Sequence, residues 1–67
     1  MKLSVNGETY EMAIQGPTVR DLVVQLGLAN APVAVEVNKR VVPRKLHESH
    51  SLHDGDVIEV VTLVGGG

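Results

Sequence analysis

The chain has 67 residues, room for one small domain, and its 43% hydrophobic and 21% charged content is that of an ordinary globular fold. Six basic against eight acidic residues, with Tyr10 the only aromatic, argue against a nucleic-acid surface, which needs a basic face and stacking rings. Zero cysteine excludes disulfides, iron–sulfur clusters, thiolate zinc and a cysteine nucleophile.

No stretch nears the ~20 apolar residues that span a bilayer, and the opening Met1-Lys2-Leu3-Ser4 lacks a signal-peptide core, so a cytoplasmic protein without membrane contact is expected. Valine supplies 13 residues, which predicts an aliphatic, β-branched core rich in strands.

The first sixteen residues read as a hairpin. Leu3 and Val5 alternate with polar neighbours around Asn6-Gly7, a strong short turn signal. The return strand puts Tyr10, Met12 and Ile14 on one face, until Gly16-Pro17 stops it. Thr18 then opens a helix of about nine residues, with Asp21 three positions on in a capping-box relation. Val19, Leu22, Val23 and Leu26 form its apolar face, and Gly27 suits a left-handed C-terminal cap.

Val33, Val35 and Val37 give a third strand, and Asn38-Lys39-Arg40 turns the chain into the short strand Val41-Val42, ended by Pro43 as befits a sheet edge. Residues 46–52 show no period and predict a loop with a helical turn. Asp54-Gly55-Asp56 is a turn, and 57–64 is the longest strand. This order predicts an α+β fold, a mixed sheet of about five strands with one main helix across it. The first and last strands are expected parallel in the middle. That arrangement is the ubiquitin-like β-grasp, here covering residues 1–63 and leaving 64–67 as a flexible Gly-rich tail.

Little within the domain looks catalytic. His47, His50 and His53 recur at three-residue spacing, but on a helix the outer two would point to different sides, so solvent-exposed loop histidines are expected and a metal site is not. Asp54 and Asp56 read as turn caps. Lys39, Arg40, Arg44 and Lys45 read as solvated charge, and the serines lack a base and an orienting group.

The C-terminus stands apart. Three terminal glycines arise by chance in roughly 3 in 10,000 chains at a glycine frequency of about 7%, and a disordered end or a linker remnant are the plain alternatives. Four residues from Val64 reach up to about 14 Å, and without Cβ atoms such a strand threads a tunnel closed to larger residues. A carboxylate is ionised at neutral pH and repels nucleophiles. Something must therefore replace the oxygen with a better leaving group; adenylation by ATP does so, after which a sulfur nucleophile can take the acyl group. Since the chain has neither a phosphate-cradling loop nor a nucleophile, an enzyme partner is expected to supply both. On the last strand, Ile58, Val60 and Thr62 share one face. Val57, Glu59, Val61 and Leu63 share the other, which predicts an exposed partner-docking patch at Glu59, Val61 and Leu63 beside the tail.

Asn38-Lys39-Arg40-Val41-Val42-Pro43-Arg44, Asp54-Gly55-Asp56 with Ile58 and Val60, Thr18-Val19-Arg20-Asp21-Leu22 and the final Val64-Gly65-Gly66-Gly67 together resemble the bacterial ThiS-type sulfur carriers of thiamine biosynthesis. The resemblance runs the whole chain. It implies a carrier rather than an enzyme, with no cofactor of its own. The E1-like, ThiF-type partner uses ATP-Mg to adenylate Gly67, a cysteine desulfurase or a relay persulfide supplies sulfur, and the resulting thiocarboxylate serves thiazole synthase (ThiG-type). The small subunit of molybdopterin synthase, a carrier for another sulfur metabolite and a ubiquitin-like modifier joined to lysines share the fold and tail. A β-grasp module appended to a larger enzyme is a further class, which a free terminal diglycine disfavours.

Overall fold

The computed structural model describes residues 1–63; the expected tail, 64–67, lies outside the described residues. Strands β1 (Lys2–Val5) and β2 (Glu8–Glu11) form the opening hairpin. At its tip Asn6 and Gly7 both take positive φ, 51° and 83°, the primed turn whose twist matches the flanking strands. β2 ends earlier than the alternation predicts. The last ladder pair is Lys2↔Glu11; beyond it Met1 and Met12 still exchange two backbone hydrogen bonds, at 2.8 and 2.9 Å, and the pairing stops there. Met12 is still fully buried and Tyr10 half-buried, but Ile14 is 47% exposed and leaves the expected core face.

Helix α1 (Val19–Gln25) is fully capped. Thr18 accepts from the Asp21 amide at 3.3 Å, while the Asp21 carboxylate accepts from the Thr18 amide at 2.8 Å, the reciprocal capping box. The other two free amides of the first turn, on Val19 and Arg20, donate to the carbonyls of His50 and His47, each at 2.9 Å. At the far end the Gly27 amide donates to Val24 and the Leu28 amide to Val23, both at 3.0 Å, with Gly27 at φ 78°. That pair of bonds is a Schellman motif.

A second hairpin follows, β3 (Val33–Val37) and β4 (Arg40–Val42). Its tip, Asn38-Lys39, takes positive φ at both positions (52° and 70°) without a glycine. A 3-10 turn (Arg44–Leu46) and a loop lead to β5 (Val57–Thr62). The strands lie in the order β2-β1-β5-β3-β4. β5 runs parallel to β1 and antiparallel to β3, so the fold is the expected α+β β-grasp with β4 on an edge.

One layer of core joins sheet and helix. Leu3, Val5, Val35, Val37, Val42, Ile58 and Val60 from the strands cluster with Val19, Leu22 and Val23 of α1, closed by Met12 and Leu52. Every one of these is aliphatic or Met, so close packing rests on interlocking branched side chains rather than rings.

One of the three loop histidines departs from expectation. His47 is only 5% exposed, because the 3-10 turn after Pro43 folds it back under β4. There its Nε2 lies 3.0 Å from the Val42 carbonyl; a carbonyl only accepts, so Nε2 carries the hydrogen. His50 is half-buried and His53 is exposed. The segment read as a periodless loop has a definite task, since its carbonyls cap α1. Among the described residues no group of three His, Asp or Glu is set to hold a metal ion, and no helix is long and apolar enough to cross a membrane.

Candidate functional site

The sheet has two unlike faces because side chains alternate along each strand. On β5, Ile58 and Val60 are buried under α1, while Val57, Glu59 and Val61 point away from it and are exposed. Val61 is 56% and Leu63 51% exposed, large values for aliphatic side chains. The register extends this face sideways. Ala34 lies opposite Val61, Glu36 opposite Glu59, and Val41 of β4 opposite Glu36. The result is an apolar surface of Val41, Ala34, Val57, Val61 and Leu63 around a pair of facing carboxylates. Like charges directly opposite in a sheet repel, and bare aliphatic side chains gather water unfavourably. Both costs disappear if another protein covers the face with apolar side chains and a cation.

This face adjoins the root of the expected tail. Leu63, just past β5, still donates its amide to the Pro32 carbonyl at 2.8 Å, so the chain is tied to the body up to the last described residue. Val64, Gly65, Gly66 and Gly67, the residues expected to enter a partner's active site, lie outside the described residues. Of the expected site residues, Glu59, Val61 and Leu63 are therefore brought together on one exposed surface.

Several residues that alternation alone does not single out hold β5 in position. Asn6 clamps it with its side-chain amide, donating from Nδ2 to the Val60 carbonyl at 3.1 Å and accepting the Val60 amide on Oδ1 at 2.8 Å. Asn38 does the same at the other end. Its Oδ1 accepts the Val57 amide at 2.9 Å and its Nδ2 donates to Asp56 at 3.0 Å. Each hairpin tip thus grips the central strand through an asparagine in the left-handed conformation. The shared signal was available in the sequence: Asn at both turns, at a position where a short amide can bond back to a neighbouring backbone.

The acidic turn has structural work as well. Asp56 accepts the His53 amide at 2.8 Å, closing the turn around Gly55, as a turn-capping Asp should. Asp54 reaches instead to β1 and accepts the Lys2 amide at 2.7 Å, bonding the sheet's parallel pair at its start.

The sequence model described as the ThiS family matches residues 3–67. The sulfur carrier protein ThiS of Bacillus subtilis is 37% identical over 65 residues, covering 97% of this chain and 98% of that protein. A thiazole synthase of Magnetococcus marinus is 45% identical over all 67 residues, but this chain spans only 20% of its length, so a segment of this kind also occurs inside a longer protein. Among solved structures, the crystal structure of the thiamine biosynthesis protein ThiS from Geobacter metallireducens superimposes with a TM-score of 0.83 at 33% identity, each chain fully covered. With a family match over nearly its whole length and the same fold in that relative, the chain belongs to the ThiS family.

Proposed function

We propose that this carrier transports sulfur as a thiocarboxylate on the Gly67 carboxyl, for the thiazole portion of thiamine. The observation that carries the reading is the exposed aliphatic surface that continues from Val61 of β5 to Leu63, the residue that precedes the glycine-rich end by one position in the sequence. A surface of that kind suits reversible docking on a larger enzyme, and a side-chain-free end suits a narrow active-site channel.

The chemistry starts from an unreactive carboxylate. An E1-like (ThiF-type) partner brings ATP with Mg; the carboxylate oxygen bonds to the α-phosphorus and pyrophosphate leaves. A persulfide sulfur, delivered from cysteine by a desulfurase or a relay protein, then attacks the acyl carbon and AMP departs. A thiol cleaves the remaining sulfur–sulfur bond, leaving the thiocarboxylate and a disulfide. Thiazole synthase is the proposed acceptor, supported by the similarity of this chain to a segment of a protein bearing that name. The docking residues are Glu59, Val61 and Leu63, and the inserted segment is Val64, Gly65, Gly66 and Gly67.

Intact mass tests the proposal. Incubation with the E1-like enzyme, ATP and a persulfide donor should add about 16 Da, sulfur for oxygen at the chain end, and fragmentation should locate the gain on Gly67. An unchanged mass, together with normal thiamine synthesis in cells whose carrier lacks Gly67, refutes it.

A further inference from the structure

On the helix-bearing side of the molecule, away from the proposed docking face, a half-open cavity of about 640 Å³ lies between α1, the start of β3 and the 3-10 turn. Its size falls within the roughly 300–1,000 Å³ of small-ligand sites. Val23, Ala29, Ala31 and Val33 supply an apolar floor, and Arg20, Arg44, Lys45 and Glu48 supply the charge. Three of the chain's six cationic side chains converge here although the chain as a whole is negative. Among the described residues none of the four is in an ion pair. Three cations against one carboxylate leave two net positive charges over a greasy base. Like charges gathered without counter-ions repel each other, a cost that a bound anion removes.

We infer that this cavity binds a small phosphate monoester. The class follows from the charge and the floor together. A monoester carries about −1.5 to −2 at pH 7, matching the net charge of the rim, and guanidinium groups suit its oxygens. The ester's carbon body lies on Val23 and the two alanines, where inorganic phosphate has nothing to offer. Arg20 is half-buried and Arg44 and Lys45 are exposed, so the anion enters from solvent without opening the core.

Titration of the 15N-labelled protein with phenyl phosphate, inorganic phosphate and phenol separates these contributions. Saturable amide shifts confined to Arg20, Ala29, Ala31 and the Arg44–Glu48 turn are expected with phenyl phosphate. The dissociation constant should be on the order of 1 mM. Inorganic phosphate should bind several-fold more weakly at the same amides, and phenol should leave them unmoved. The double variant Arg44→Gln/Lys45→Gln should weaken phenyl phosphate at least about tenfold, with an unchanged melting temperature because both side chains are exposed. Lys39→Gln/Arg40→Gln should leave binding as it was. The inference is overturned by shifts that do not saturate or that map to the Lys39–Arg40 tip. Equal losses in both double variants, or equal affinity for the two phosphates, also overturn it. Tighter binding of an Asp/Glu-rich peptide at the same amides overturns it too, and marks the cavity as a seat for a protein segment.

Discussion

Replacing Asn6 with alanine tests whether the hairpin-tip clamp holds β5, and with it the proposed docking face. Asn6 forms two hydrogen bonds to the Val60 backbone, at 3.1 and 2.8 Å, just beyond the point where β1 stops pairing with β5 at Val5↔Ile58. Losing both costs about 1 kcal/mol each. Alanine must also adopt φ 51°, a left-handed conformation that adds about 1 kcal/mol. The expected loss of about 3 kcal/mol is large against the roughly 0.05–0.15 kcal/mol per residue that small domains possess. At about 4–8 °C per kcal/mol, the melting temperature should fall on the order of 12–24 °C.

Urea unfolding followed by circular dichroism gives the free energy directly. Asn6→Gly should recover about 1 kcal/mol of the loss, because glycine accepts the dihedral but not the hydrogen bonds. Asn30→Ala, at an exposed loop position, should stay within about 0.5 kcal/mol of the parent. If Asn6→Ala proves no worse than Asn30→Ala, the clamp contributes nothing and β5 is held by the ladder and core alone.

Leu63→Glu should leave the fold intact, since Leu63 is half-exposed, yet cut the rate of adenylation by the E1-like partner at least about tenfold; an undiminished rate removes the docking face from the proposal. Glu36→Gln relieves the facing pair with Glu59 and should stabilise the domain by about 0.2–1 kcal/mol, an effect that shrinks in high salt. Gly27→Ala meets no atom within 4 Å, so its expected cost of about 1 kcal/mol is purely that of the left-handed backbone, read as a shift in urea midpoint at constant slope.

Alternation, turn chemistry and capping signals carried most of the architecture. They identified the Asn6-Gly7 hairpin, the Thr18–Asp21 box, the Gly27 cap and the two-faced final strand, because each depends on residues near one another in the chain. Leu63 and Val61 were legible as exposed for the same reason: once Ile58 and Val60 are buried, the period of two decides their neighbours. Ile14 was not, since the length of β2 depends on how much of β1 is available to pair, a property of another segment.

The sequence by itself determined the element order, the aliphatic core and the outward face of β5, all consequences of short-range periodicity and local backbone preference. Only the tertiary structure decided that His47 is buried, that the carbonyls of His47 and His50 cap α1, and that two turn asparagines grip the central strand. It alone also gathers Arg20 with Arg44 and Lys45 around one cavity. These are contacts between segments distant in the chain, where hydrogen-bond satisfaction and charge placement are settled by chain packing in three dimensions rather than by spacing along it.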